Sequence, residues 1–193
     1  LPHAGLSFSA RGIAAGLMPL YEDTSLIREC DRILLLAPSH YYRLPADTLY
    51  AGGFAAYDTP LGSIPGVGPT SHTRAAKEIA AEHAVEMLLP HVKYLRDNAG
   101  LAETEGPALE AVLVPPMSSS QLQRQARMLL DALGGTSNAA GTSNAAGLAR
   151  TLILVSSDFT HYGPRFDYTP YGQVPRVEQR VREDDMRVAQ ALC

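Results

Sequence analysis

Two hydrophobic rhythms alternate along this chain, and the places where one gives way to the other mark its elements. Between Phe8 and Tyr21, Ile13, Leu17 and Leu20 recur at three- and four-residue spacing, which predicts a helix with one apolar face, weakened by Gly12 and Gly16. Arg32 to Ala37 holds the unbroken apolar run Ile33-Leu34-Leu35-Leu36-Ala37 and reads as a buried strand. Leu49 to Tyr57 fits neither period, and Thr59 to Pro69, punctuated by glycine and proline, reads as loop. Thr73 to Leu95 predicts a helix kinked or restarted at Pro90. Leu109 to Val114 is a second apolar strand, closed by Pro115-Pro116. Ser118-Ser119-Ser120-Gln121 has the form of a capping box and opens a helix to Leu133. Arg150 to Val155 is a third strand, and Val174 to Leu192 a further helix.

Strands separated by helical segments predict an α/β fold in three layers, a mostly parallel central sheet with helices on both faces. At 193 residues the chain is long enough for one sizeable core, so one domain over residues 1–193 is expected. One stretch stands apart: Gly135-Thr136-Ser137-Asn138-Ala139-Ala140 is repeated as Gly141-Thr142-Ser143-Asn144-Ala145-Ala146. A hexapeptide duplicated between a helix and a strand reads as a loop insertion, tolerated because loop entropy grows slowly with length, and residues 134–147 are expected to be flexible. The chain starts at Leu1 directly on Pro2-His3 and stops inside a predicted helix, so it is expected to be incomplete at both termini.

Composition narrows the function classes. With 46% apolar and 19% charged residues the chain is of ordinary globular type. A formal charge of -4 gives no basic surface for nucleic acid or anionic membrane. No apolar run approaches the roughly 20 residues that cross a bilayer. Cys30 and Cys193 are too few for a disulfide framework and match no zinc spacing, which favours a reducing, cytoplasmic setting.

The chemistry gathers at strand ends. His40, in Ala37-Pro38-Ser39-His40, follows the first strand. Ser156-Ser157-Asp158-Phe159-Thr160-His161-Tyr162-Gly163 follows the last, and His3 opens a glycine-containing turn. Ligands of open α/β sheets collect at the carboxyl ends of strands, so these clusters point to one site. Imidazoles and a carboxylate suit a metal or acid–base work. Each residue alone also has a structural reading: His40 as a satisfied histidine, Asp158 as a turn cap.

The segments resemble a known family. Pro2-His3-Ala4-Gly5, Pro38-Ser39-His40, Thr59-Pro60-Leu61-Gly62, Glu82-His83-Ala84-Val85-Glu86-Met87, Ser156-Ser157-Asp158-Phe159 and Gly163-Pro164-Arg165-Phe166 occur in the order seen in the Memo family. That resemblance implies a fold related to the class III extradiol dioxygenases, which use non-haem iron. It implies His3 and His40 as metal ligands, with iron or copper as the cofactor and a cysteine beyond the given chain as the third ligand; Cys193 is not that cysteine. It implies pocket roles for Asp158 and His161, with His161 the acid–base group, and for His83 and Arg165 in binding a small molecule or a phosphopeptide. The family often has a histidine where this chain has Leu88.

Other catalytic patterns are absent. No Gly-x-Ser-x-Gly elbow, Walker loop or dinucleotide fingerprint occurs, and Ser156 or Ser157 with Asp158 and His161 would be too local for a triad. The resemblance implies two function classes, a metal-dependent redox protein and a non-enzymatic phosphopeptide-binding adaptor in cell motility, and the same histidines would also suit a metallohydrolase. The expectation is that His3, His40, Asp158 and His161 line one cleft, with His3 and His40 within roughly 10 Å of each other.

Overall fold

In a computed structural model that describes residues 1–68, 73–135, 150–172 and 176–191, the chain divides into two compact units, Leu1–Ser157 and Asp158 onward. The first holds the strands β1 (Arg32–Pro38), β2 (Tyr50–Ala51), β3 (Ala56–Thr59), β4 (Gly62–Pro65), β5 (Thr73–Arg74), β6 (Ala108–Val114) and β7 (Thr151–Val155). Its helices are α1 (Leu6–Glu22), α2 (Ser25–Glu29), α3 (Ala76–Ala80), α4 (His83–Glu86), α5 (Leu89–Asn98) and α6 (Ser119–Leu130). Among the described residues, a five-stranded sheet runs in the order β5-β2-β6-β1-β7. Both neighbours of β1 are parallel to it, and β2 against β6 is the antiparallel exception.

The unbroken apolar run of β1 follows from its position, since a central parallel strand is covered on both faces. Ile33, Leu35 and Ala37 join Leu109, Ala111 and Leu113 of β6 and Leu154 of β7 on one face. There they meet Ile13, Leu17 and Leu20 of α1, Ile27 of α2, Val85 of α4, and Val92 and Leu95 of α5. On the opposite face Leu34 and Val112 pack with Leu129 of α6 and Leu133. Those are the expected three layers. The capping box at the start of α6 is present in full, with Ser118 and Gln121 each bonding the other's backbone.

Two expectations need correction. Thr59 to Pro69 is not all loop, because β3 and β4 form an antiparallel hairpin closed at Pro60-Leu61. Pro60 sits in the turn and Pro65 at the strand end, where no ladder N–H is lost, and Gly62 takes φ +119°, a conformation side chains resist. Thr73 to Leu95 is likewise not one helix. Thr73–Arg74 is β5, and α3, α4 and α5 follow as separate helices. The last restarts at Leu89, with Pro90 in its first turn, where its missing N–H costs nothing. The duplicated hexapeptide lies almost wholly outside the described residues, as does Cys193.

The loop from α5 into β6 is built around a buried arginine. Arg96, 1% exposed, donates to the carbonyls of Pro107, Glu105, Glu103 and Ala102. Its fork geometry matches several acceptors at once, which an ammonium does not reproduce.

The second unit contains a short 3-10 turn, Pro164–Phe166, and α7 (Val177–Ala191). Tyr162 stacks on Tyr171 at 6.3 Å and donates its hydroxyl proton to the Gly172 carbonyl at 2.6 Å. Thr160 bonds Asp185 of α7 at 2.6 Å. No helix among the described residues is long and apolar enough to cross a membrane.

Arg96→Met retains bulk but leaves the buried Pro107 carbonyl and the partly buried carbonyls of Ala102, Glu103 and Glu105 without their donor. A loss of roughly 1–3 kcal/mol of unfolding free energy is expected, read by urea denaturation at unchanged slope. A loss under about 1 kcal/mol would show that water replaces the guanidinium.

Candidate metal centre

Parallel pairing brings the carboxyl ends of β1 and β7 to the same place. Leu36 lies opposite Val155, and one step further the Ser156 N–H donates to the Leu36 carbonyl at 2.7 Å. His40 comes two residues after the end of β1. The start of the chain is fastened to the same edge: the Leu1 nitrogen donates to the Val155 carbonyl at 2.7 Å, and the Leu1 carbonyl accepts from the Ser157 N–H at 2.8 Å. These bonds are those of a parallel strand, and they deliver His3 to Ser156. The third participant, His83, opens α4, whose Ala84 carbonyl accepts the Ser156 hydroxyl proton at 2.7 Å.

His3, His40 and His83 therefore meet. Their ring centroids are 5.1 Å apart for His3 and His40, 5.4 Å for His3 and His83, and 4.5 Å for His40 and His83. One nitrogen from each ring lies within 4.8 Å of the other two. His3 is buried, His83 half-buried and His40 exposed, so the cluster runs from the core to the surface. Tyr41 lies alongside, its ring 5.4 Å from that of His83.

The hydrogen bonds assign the protons. Ser156 has one hydroxyl proton and gives it to Ala84, so toward His3 Nδ1, at 3.0 Å, its oxygen accepts. His3 is then protonated at Nδ1 and carries its lone pair on Nε2. Glu82 treats His40 in the same way: its Oε1 is 2.8 Å from His40 Nδ1, and its Oε2 accepts the His40 main-chain N–H at 2.7 Å. Burial alone would raise the Glu82 pKa. The hydrogen bonds from the His40 N–H, the His40 ring and the Ala84 N–H outweigh it, and the net pKa lies below the ordinary carboxylate value. Glu82 is thus an ionised acceptor, and His40 also presents Nε2 as its basic nitrogen.

His83 differs. Its Nδ1 is 3.1 Å from Glu82 Oε1, yet the angle falls outside hydrogen-bond geometry and the atom is buried with no partner. Among the described residues no other buried side-chain nitrogen or oxygen is left this way. An unsatisfied buried polar atom costs about 1–3 kcal/mol and calls for an explanation.

A metal ion fits this donor set. Three atoms no more than 4.8 Å apart share a centre within about 2.8 Å of each, and imidazole–metal bonds are roughly 2.0–2.1 Å. Closing the difference takes less than about 1 Å of side-chain movement per ring. Neutral imidazole suits zinc, copper, iron or nickel.

The expected proximity of His3 and His40 is present. His83, expected in a ligand pocket, adjoins both of them. Asp158 and His161 belong to the second unit, where His161 Nε2 is 3.4 Å from Asp158 Oδ2, and Arg165 is exposed in the 3-10 turn. Leu88 is buried in the core. Cys30 is buried and directs its thiol to the Ile27 carbonyl at 3.5 Å. Sequence reasoning passed over Glu82 and Ser156. Both signals were modest: a carboxylate just before a helical histidine, and the first polar residue after an apolar strand.

Over residues 1–192 the sequence matches the family described as Memo-like protein. It is 27% identical to a MEMO1 family protein of Pyrococcus horikoshii, the alignment covering 99% of this chain and 62% of that protein. A MEMO1 family protein of Thermococcus onnurineus is also 27% identical, over 100% of this chain and 62% of its own length. Protein MEMO1 of Danio rerio is 26% identical, over 99% of this chain and 61% of its own length. The chain thus spans less than two thirds of the length of these relatives.

Ser156→Ala removes both the acceptor for His3 and the donor to Ala84. A loss of about 1–3 kcal/mol is expected, measured by chemical denaturation, and a neutral result would mean that the Ser156 bond is not what holds the His3 ring.

Proposed function

The chain belongs to the Memo-like protein family, and from that premise we propose that it is a metal-binding protein in which His3, His40 and His83 hold one redox-active ion, iron or copper, on a dioxygenase-like scaffold. The observation that carries this reading is the convergence of three imidazole nitrogens within 4.8 Å of one another. The unpartnered Nδ1 of His83 supports it, because coordination is a use for a buried nitrogen that no protein group satisfies.

In this reading His3 and His40 ligate through Nε2, each oriented by its own Nδ1 bond, to Ser156 and to Glu82. Three imidazoles are neutral donors, so a divalent ion is at most half neutralised, by the single Glu82 carboxylate behind the rings, and favours an anionic oxygen ligand, the class of small molecule we assign to the site. When bound, such an ion supplies Lewis acidity and one-electron chemistry. In the second unit the Asp158 carboxylate lies 3.4 Å from His161 Nε2, and we assign proton transfer to that histidine.

The test is elemental analysis of reductively purified protein beside a His3→Ala/His40→Ala double variant and His83→Ala. About one iron or copper per chain is expected in the parent, none in the double variant and a reduced content in His83→Ala. Stoichiometric zinc would replace the redox reading with a hydrolytic one. Folded parent protein without metal would overturn the proposal in favour of a phosphopeptide-binding module, for which Arg165→Ala is the variant to assay.

A further inference from the structure

Glu82 is 1% exposed. A carboxylate buried to that degree normally pairs with lysine or arginine, because an uncompensated buried charge is costly. Among the described residues Glu82 has no such partner. Its contacts are the main-chain N–H groups of His40 at 2.7 Å and Ala84 at 3.2 Å, His40 Nδ1 at 2.8 Å, and His83 Nδ1 at 3.1 Å. One carboxylate therefore touches two of the three clustered imidazoles. It also reaches the third through the backbone: it accepts the Ala84 N–H, the Ala84 carbonyl accepts from Ser156, and Ser156 accepts from His3.

Helix capping does not account for this arrangement. An N-cap needs one oxygen on one N–H, a task that serine, aspartate or asparagine performs as well. At Glu82 the second oxygen is spent on the backbone of a residue 42 positions away. The side chain ties the start of α4 to the loop that follows β1, the two segments that carry His83 and His40.

We propose that Glu82 is the positioning residue of the metal centre, fixing His40 as the tautomer that ligates through Nε2, bracketing His83 against it, and supplying the counter-charge that makes the cluster take a divalent cation. This rests on the metal-binding reading above. The physical basis is that a carboxylate can only accept. With Oε1 and Oε2 both occupied by donors, His40 must keep its proton on Nδ1. An outer carboxylate on a ligating histidine also raises the basicity of the coordinating nitrogen.

The discriminating variant is Glu82→Gln, which keeps length and volume but turns one acceptor into a donor. Placed one way, the new NH2 group opposes the His40 main-chain N–H. Placed the other way, it faces the His40 ring, moves the ring proton to Nε2 and opposes the Ala84 N–H. Co(II) serves as the probe, titrated into the intact metal-free protein and followed by its visible absorption, alongside nitrogen NMR of the histidine rings before metal addition. The parent is expected to bind Co(II) and to show His40 protonated at Nδ1. Glu82→Gln is expected to bind about 10–100-fold more weakly, with an altered His40 tautomer signature and unchanged circular dichroism. Glu82→Asp, which keeps the charge on a shorter arm, should recover part of the affinity.

Equal Co(II) affinity in the parent and Glu82→Gln would reduce Glu82 to a helix cap and leave the metal reading standing. A parent that takes up no Co(II) would overturn the metal reading and this inference together. Should Glu82→Gln fail to fold, Glu82→Asp decides, since full parental affinity in that variant would equally overturn the positioning role.

Discussion

The arrangement of this protein depends on the parallel pairing of β1 with β6 and β7. Parallel strands share a direction, so their carboxyl ends must lie on one side, and whatever follows them is brought together regardless of distance in sequence. Arg32 opposite Ala108 and Thr151 sets the register, and Pro38, Val114 and Val155 end near one another as a result. His3 and Ser156, separated by 153 positions, bond directly because of it. A shift of one residue in β1 would move Ile33, Leu35 and Ala37 to the wrong face of the sheet and separate the histidines. The apolar core and the polar centre are thus two results of a single register.

At the end of that core lies a continuous polar chain. His3, Ser156, Ala84, Glu82 and His40 satisfy one another in sequence, which makes burying an imidazole and a carboxylate tolerable. His83 is the exception, the point where satisfaction by the protein stops. Local rules broken in an otherwise consistent structure mark functional positions more often than errors of folding.

The sequence was most legible where packing and periodicity agree. Ile33 to Ala37, Leu109 to Val114 and Leu152 to Val155 are covered on at least one face by helices, and their apolar runs say so directly. The Ser118–Gln121 box is a local chemical signal that needs no tertiary context. The β3–β4 hairpin was hidden because Pro60 and Pro65 look like breakers while standing where the ladder needs no donor. The stretch from Thr73 to Leu95 misled for the opposite reason. Its apolar spacing suits one long helix, but Ala75 and Glu82 take extended or irregular backbone angles, and at Glu82 the reward is a carboxylate aimed at His40. The meeting of His3 and His40 could be expected from strand ends. The approach of His83 followed from the family resemblance and not from strand ends, because it depends on where α4 starts, a matter of one residue.

The arginine clasp between α5 and β6 and the ladder between β1 and β7 differ in how far along the chain their partners lie. The acceptors of the clasp lie only 6 to 11 positions from Arg96, so closing that loop costs little chain entropy. The partnership of β1 with β7 instead joins positions such as Arg32 and Thr151 across most of the first unit, and contacts of such separation form slowly. The clasp between α5 and β6 is thus a local closure, and the β1–β7 ladder a long-range one. The end of β7 is also what brings Ser156 to His3, so the histidine cluster rests on contacts between segments at opposite ends of the first unit.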